Sequence, residues 1–578
     1  MQRAKRQRTE EDAASVSNNL EHVIKNEDAV LIPTENEQQW ESSKTKCPYL
    51  DTICRSVIDF DMEKVCSVSL SNMHVYCCLV CGKFYQGRGK ATPAYTHSVQ
   101  QGHFVFLHLS EGRFFCLPDN YEIVDSSLDD IKACLAPAYS LADLKQLDRN
   151  KDVARDVHGM TYLPGFRGIN NLCNTDYLNC VVHALSHVRP LRDFLLQPTG
   201  YAQCRSAILQ HLGAFTRRSW SSRNFKCGAS PQELVHAISD ASQKKFASGT
   251  SADSIDFLNW LLAEINRALA ARTLDAVKSD VSNKVREQTI VTQCFQGLIE
   301  VTEQRRKALS TGTDQPWTES VRQVNFNHLS LDIPPPPLFK EGEGGLVIPQ
   351  VPIFELLQKF NGSKWTETLQ GDTQVRRKYK ILRLPPYLVF HLVRSSDSAS
   401  FRKDRNPTIV TFPLKHLDMS GLCTPPSSSS FPACPAAETI HDLSIKELKA
   451  LLLQHGTDEH KMILQGTCEK SELLAMATSA VTRAAAVSAN KYKYNLVANI
   501  CRESMQTTAL KGVTVGATTE SSLSRVSVQE SHPFKVHLRH RPTDKWFELK
   551  DLLVSEIAPQ LIALSESSIL FYENANSI

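Results

Sequence analysis

The sequence predicts a small α/β domain followed by a larger α+β domain, and three observations carry that reading. From Cys47 to about residue 140 the chain is rich in Cys, His and aromatic residues, in short strand-like runs such as 74–80 and 104–109. From Gly168 onward apolar residues recur at helical spacing, as with Leu178, Val182 and Leu185 in the stretch 177–196, and again in 254–269. After the four prolines 334–337 the texture changes to strand runs at 387–393, 408–412, 494–500, 534–538 and 568–572. Helices first and sheet later, at long intervals, suit an α+β domain.

Length and composition set the bounds. The chain has 578 residues, 42% of them hydrophobic. That is a globular composition, with room for roughly two to four domains. Its 65 basic and 62 acidic residues leave a net charge of +3. Such near-balance argues against a chain that mainly coats nucleic acid, although a local basic patch fits within it. The first residues, MQRAKRQRTEEDAA, lack the apolar core of a secretory signal, and no apolar run is long enough for a membrane span. The 17 cysteines are therefore expected in a reducing compartment, mostly as small buried hydrophobes, with metal sites the main exception. The basic run 5–8, Lys-Arg-Gln-Arg, reads as a nuclear import signal or as a solvated charged tail.

Composition also divides the chain. Residues 1–45 are polar and aperiodic and are expected to be disordered. The small domain spans 46–140, a connector 141–165, and the large domain 166–578. Two insertions interrupt the large domain. The first, 420–490, opens with a Pro/Ser-rich linker, 423–438, and continues with a helix for which Ser444 is the N-cap. A second helix is expected from about Cys468. This pair reads as a plain helical insertion or as a module similar to the SAP helix–loop–helix. The second insertion, 503–530, is polar and is expected to be a disordered loop.

Cys78-Leu79-Val80-Cys81 is the one Cys-x-x-Cys of the sequence, and His97 and His103 follow it. Two thiolates on a tight turn and two imidazoles make a closed tetrahedral zinc site, so one structural ion is expected. The spacing approaches that of DNA-reading fingers. Those are compact independent units, however, whereas these ligands lie within a long strand-like stretch. The alternative is a pair of buried thiols. Cys47, Cys66, His74 and His108 are candidates for a second site, without a close pair to anchor it.

Residues 168–179, Gly-Ile-Asn-Asn-Leu-Cys-Asn-Thr-Asp-Tyr-Leu-Asn, form a loop that leads into an amphipathic helix. A helix N-terminus lowers a thiol's pKa and offers N–H donors to an oxyanion, an architecture suited to a cysteine nucleophile. The residue at the helix start is Asp176. A carboxylate is a far weaker acyl acceptor than a thiolate, and its charge opposes an adjacent oxyanion. Cys180 lies a full turn into the helix and Cys173 three residues upstream, so neither replaces it.

Several motifs resemble known families. The stretch 78–107 resembles the UBP-type zinc finger, with its ligands at Cys78, Cys81, His97 and His103. That finger often grips the C-terminal Gly-Gly of ubiquitin through a Cys-Gly-Arg motif. The motif is missing here, with Arg88 only a loose substitute. The 168–179 loop resembles the cysteine box of ubiquitin-specific proteases, Asn-Leu-Gly-Asn-Thr-Cys-Tyr. Asn171 then matches the oxyanion-stabilising asparagine, and Asp176 takes the cysteine's position. The segments 252–258, 384–394, 406–413 and 494–500 resemble further boxes of that family. The resemblance implies a papain-like fold. It places Pro533 at the catalytic histidine, one residue after His532, and Lys550 at the final triad position. Asp551 is expected to point away along its strand. With no Cys, His or Asp/Asn in place, the resemblance implies no enzyme. It also implies no metal in the fingers subdomain, which lacks that family's paired Cys-x-x-Cys motifs.

The runs 47–53, 116–123, 347–352 and 359–362 resemble one branch, the inactive homologues of the spliceosomal tri-snRNP, of the Sad (snRNP-assembly-defective) type. This implies a nuclear splicing scaffold with tri-snRNP proteins, and small nuclear RNA backbone, as partners. The other readings are a binder of ubiquitin or a ubiquitin-like protein without cleavage, and an active deubiquitinase with a displaced thiol. In the vacated cleft, Lys550 and Asp176 are either an ion pair or two unrelated surface charges.

Overall fold

The computed structural model describes residues 47–276, 288–307, 317–335, 349–370, 373–394, 406–423, 445–455, 470–503 and 533–577. The 1–45 arm, the basic run 5–8, the Pro/Ser linker beyond Cys423, Ser444, Cys468, His532 and the 503–530 loop beyond Glu503 lie outside the described residues.

The first unit is an antiparallel sheet with one helix. Its strands are β1 (Val75–Cys78), β2 (Phe84–Gln86), β3 (Val105–His108), β4 (Phe114–Cys116) and β5 (Tyr121–Ile123), in the order β2-β1-β3-β4-β5. Helix α1 (Pro93–Gln101) connects β2 to β3. Both sheet faces are covered. Val75, Cys77, Val105 and Leu107 pack with Ile58, Leu128 and Ile131, while Tyr76, Cys78, Phe106 and Phe115 form a second cluster behind them. Double burial is why these runs are apolar without alternation. Helices α2 (Asp129–Leu135) and α3 (Leu141–Leu147) lead onward, and Ser140 and Asp143 close a reciprocal capping box at the start of α3.

The larger unit begins with helices: α4 (Asp176–Ser186), α5 (Arg189–Leu196), α6 (Ala207–Trp220), α7 (Gln232–Ala241), α8 (Ser254–Ala276) and α9 (Ile290–Phe295). The expected single helix over 177–196 is in fact two. Pro190 lacks the N–H needed to continue α4 but suits the first turn of α5.

Strands follow: β6 (Gly297–Lys307), β7 (Thr318–Phe326), β8 (Leu329–Asp332), β9 (Asn361–Gln370), β10 (Thr373–Arg383), β11 (Tyr387–Val393), β12 (Lys493–Arg502), β13 (Phe534–His540), β14 (Lys545–Lys550), β15 (Leu553–Ile557) and β16 (Glu566–Asn574). The central sheet runs β8-β11-β16-β12-β13-β14-β15, with the short strand Leu417–Asp418 also paired to β12. A second sheet runs β9-β10-β6-β7. Strand structure thus starts before the prolines, earlier than the sequence texture indicates. The reason is exposure: nearly every residue of β7 reaches solvent, so the strand lacks an apolar signal.

The central sheet separates two cores. Tyr387 and Val389 of β11 face α4 and α8, together with Ala498, Ile500, Val536 and Leu538. Leu388, Phe390 and Leu392 face the opposite core, with Leu496, Leu570 and Trp546. Helices α10 (Ile445–His455) and α11 (Lys470–Asn490) pack on each other through Leu448, Leu452, Leu473 and Ala477, in a cluster of their own. Among the described residues, no helix is long and apolar enough to cross a membrane.

Charge pairs join the two units. Arg218 donates to Asp61 at 2.8 Å, and Arg167 lies 3.7 Å from the same carboxylate. Lys226 reaches Asp59 at 2.8 Å, and Phe225 inserts into the core of the first unit. Because Asp61 and Arg218 are buried, removing the carboxylate leaves the Arg218 guanidinium only Glu233, 4.0 Å away, while Arg167 keeps four backbone carbonyls. Asp61→Ala is expected to cost about 3–5 kcal/mol. A fall in the urea midpoint checks this, and an unchanged midpoint refutes it.

Candidate functional site

Four side chains of the first unit converge. Cys78 ends β1, and Cys81 sits on the turn that returns through Gly82. Gly82 has φ +74°, and a Cβ there would lie 2.3 Å from the Val57 carbonyl oxygen, so only glycine fits. His97 lies on α1, and the left-handed Gly102 ends that helix and delivers His103. Cys78 Sγ is 3.5 Å from His103 Nδ1, Cys81 Sγ is 3.5 Å from His97 Nε2, and the two imidazole nitrogens are 3.0 Å apart. All four donor atoms lie within 4.8 Å of one another. The donor set fits zinc, because Zn–S of about 2.3 Å and Zn–N of about 2.0 Å set tetrahedral edges of roughly 3.3–3.8 Å. Tyr85 stacks on His97 at 4.2 Å and fixes its ring.

Among the described residues no second group gathers in this way. Cys66 Sγ instead accepts the N–H groups of Val68 and Ser69, and His108 Nδ1 accepts that of Glu111. Arg88 lies over the Phe115 ring at 4.4 Å, covering an aromatic face of the finger.

The second candidate is the loop 168–175 and the start of α4. Gly168 passes so close to Leu552 that a Cβ would meet its backbone at 2.6 Å. Asn171 Oδ1 accepts the Thr175 N–H at 2.9 Å, and Thr175 Oγ1 accepts the Leu172 N–H at 2.9 Å. Asp176 opens α4, where the helix dipole favours its charge. Its Oδ2 accepts the backbone N–H of Phe534 at 2.6 Å, beside Pro533. The site thus brings Asp176, Asn171 and Pro533 together. Cys180 is buried in the core, which pushes its thiol well up, while Cys173 is exposed on the loop.

One of the two readings of Lys550 falls away, and one expectation is corrected. Lys550 does not pair with Asp176: it donates to Glu503 at 2.7 Å, an acid that a one-dimensional reading does not bring near it. Nor does Asp551 point away. It lies past the end of β14, in the two-residue turn to β15, with φ +50°, and its Oδ2 accepts from Asn171 Nδ2 at 3.4 Å. Strand alternation does not apply in a turn of that kind. Burial raises the Asp551 carboxyl, the Asn171 bond opposes that, and the charge of Asp176 raises it further. Two carboxylates and one amide therefore share the cleft.

The ubiquitin carboxyl-terminal hydrolase family model matches residues 167–572, and the model for the Zn-finger in ubiquitin-hydrolases and other protein matches 66–128. The chain belongs to the ubiquitin carboxyl-terminal hydrolase family. It is similar to ubiquitin carboxyl-terminal hydrolase 39 of Homo sapiens, at 34% identity over 92% of this chain and 80% of that one. It is also similar to the probable mRNA-splicing protein ubp10 of Schizosaccharomyces pombe, at 33% identity over 91% and 88%. Among solved structures, its fold is similar to that of an essential yeast splicing factor, with a TM-score of 0.60 and 23% identity over 91% of this chain and 99% of that one. The zinc-finger match and the Cys/His cluster together suggest zinc binding.

In this hydrolase-family fold a thiol–imidazole–carboxylate row lies across the central sheet, where sequence reasoning did not find it. Strand register sets Asn499, His537 and Glu548 side by side, with Cys501 next along the same face of β12. His537 Nε2 is 3.0 Å from Glu548, and its Nδ1 is 3.9 Å from Cys501 Sγ. Cys501 and His537 are fully buried, so no substrate reaches them, and the row holds strands together. Burial opposes the charged imidazole, but Cys501 and Glu548 outweigh it and raise His537 to about 9. The His537 bond, against burial and with help from Lys535, lowers Glu548 to about 2. The stabilisation from His537 is complete below 6.5 and is lost as pH rises through about 9. That from Glu548 is present above 4.5 and is lost as pH falls through about 2. Glu548→Gln should therefore destabilise most between pH 4.5 and 6.5, and the His537 imidazole should titrate closer to 6.5 in NMR. An unmoved imidazole signal would refute the coupling.

Proposed function

We propose that this chain is a non-catalytic scaffold in pre-mRNA splicing, a nuclear protein that supports assembly or stability of the tri-snRNP. The cleft carries the non-catalytic part. Asp176 stands at the position the resemblance gives to the nucleophile, and its carboxylate is bound to the Phe534 N–H as a structural contact. Pro533, at the histidine's position, supplies no base. Lys550, at the last triad position, is engaged by Glu503. Asp551 adds a second carboxylate, so an oxyanion there would meet two negative charges. The splicing part rests on relatives whose names carry that role. Splicing proteins are the expected partners, with small nuclear RNA backbone as a further contact.

Cys78, Cys81, His97 and His103 hold one structural zinc in this reading. The ion closes the turn after β1 onto α1 and so fixes the finger that the Asp61 contacts attach to the larger unit. A second reading, recognition of ubiquitin without cleavage, has one observation in its favour. An open hollow of about 370 Å³ lies at the base of the four-stranded sheet, lined by Val301, Phe326, Phe360 and Tyr379. Against it, Arg88 covers Phe115 in the finger.

Affinity purification from nuclear extract is expected to recover splicing proteins with small nuclear RNAs, and recovery of neither would overturn the scaffold reading. In the same preparation a ubiquitin C-terminal electrophile should form no adduct; an adduct on the native chain would restore the enzyme. Elemental analysis should find one zinc per chain and none in Cys81→Ser, whose finger amides should also lose protection from exchange. Two ions per chain would instead point to the second site.

A further inference from the structure

Where the finger meets α6, the boundary between the two units does not close completely. A cavity of about 300 Å³ remains between the β3–β4 turn, the end of α2 and α6. That is the lower end of the range for ligand pockets. Leu109, Leu135 and Ala214 form its apolar wall. Lys64 and Lys132 of the finger line it, as do Arg217 and Arg218 of α6. Ser110 adds a hydroxyl, and Glu111 is the one carboxylate in the lining.

These charges have to be counted with their partners. Glu111 is held by Arg113 and lies 3.7 Å from His108. Arg218 is held by Asp61 at 2.8 Å, and Lys64 lies 3.6 Å from Glu233. Those two cations are thus matched by carboxylates outside the lining. Lys132 and Arg217 are not matched: among the described residues, no carboxylate lies within ion-pair distance of either.

Arg217 is also held in place. Its Nη1 donates to the Leu195 carbonyl at 3.2 Å and to the Tyr201 hydroxyl, and its own carbonyl accepts from Tyr139 at 2.8 Å. Its Nε and Nη2 have no partner among the described residues. A guanidinium anchored on one nitrogen and open along the other two is arranged to receive a pair of oxygens. Lys132 comes from the other unit, as a point charge on a flexible stem. Two unmatched charges, one forked and one flexible, complement a dianion with several oxygens. A carboxylate offers a single charge, whereas a phosphate monoester carries close to two at neutral pH.

We propose that this cavity binds a phosphate monoester, with Arg217 and Lys132 on its oxygens and Ser110 as a further donor. Bound there, the phosphoryl group bridges α2 and α6 and ties the finger to the larger unit beside the Asp61 contacts. The inference does not depend on the splicing reading above, since it follows from the cavity alone.

The test is isothermal titration calorimetry of the full chain at constant ionic strength. The probes are N-acetyl-phosphoserine methylamide, its glutamate and unmodified serine counterparts, and inorganic phosphate. The phosphoserine compound is expected to bind saturably, at least about tenfold more tightly than the glutamate compound. Lys132→Glu, at an exposed position, should lose at least about tenfold in affinity. Lys244→Glu, which reverses an exposed cation on another loop, should bind within about twofold of wild type. Arg217→Lys keeps the charge, loses the fork and should bind several-fold more weakly. Should that variant fail to fold, Lys132→Glu still decides, because Lys132 makes no side-chain hydrogen bond among the described residues. Inorganic phosphate binding as tightly as the phosphoserine compound supports the cavity as a free phosphate site. A tighter phosphoserine compound supports it as a site for a phosphorylated side chain. No saturable binding by about 10 mM overturns the proposal. So does equal binding of the glutamate compound, or equal affinity in Lys132→Glu and Lys244→Glu.

Discussion

Helix α4 is buried along ten of its eleven residues, and much of the large unit is arranged to make that possible. A helix enclosed on every side must find partners for its first amides and for the loop that feeds it. Here the loop is held by its own side chains, Asn171 on Thr175 and Thr175 on Leu172, and by Gly168 lying against the β14–β15 turn. Asp176 completes the arrangement by joining the helix start to the first residue of β13. At the position that chemistry would give to a nucleophile, the carboxylate acts as a joint between helix and sheet. A thiol there would be a weak acceptor and would leave the Phe534 N–H poorly satisfied.

The same economy governs the finger. Its sheet is too small for a large core, and both faces are covered by a few aliphatic and aromatic side chains. Phe225 of the large unit completes one of those faces, and buried Asp61 faces two arginines across the boundary. The finger is therefore a fixed extension of the hydrolase-family fold and not a tethered reader. That matters for a scaffold, whose separate surfaces must keep a constant relation.

What the sequence revealed followed from where each signal resides. The metal ligands were legible because a Cys-x-x-Cys and two histidines encode their geometry within 26 residues. Strand β11 was legible because burial on both faces made it continuously apolar. Strand β7 was not, because it is exposed along almost its whole length, and β6 buries only Ile299 and Val301 as apolar side chains before it turns charged. The break between α4 and α5 was visible as Pro190 but was overridden by the periodicity around it. Asp551 was missed because its direction is set by one left-handed residue in a turn, which strand alternation does not encode. The Cys501–His537–Glu548 row was hidden for a different reason. Only strand register assembles it, from positions far apart in the chain.

Near-neutral net charge was the most misleading quantity of all. It averages over surfaces with opposite character. One sheet concentrates positive charge and indoles, while the cleft before α4 concentrates carboxylates. Charge sorted this way gives different parts of one fold different character. Asp176 and Asp551 would oppose the developing negative charge that acyl hydrolysis places beside the start of α4.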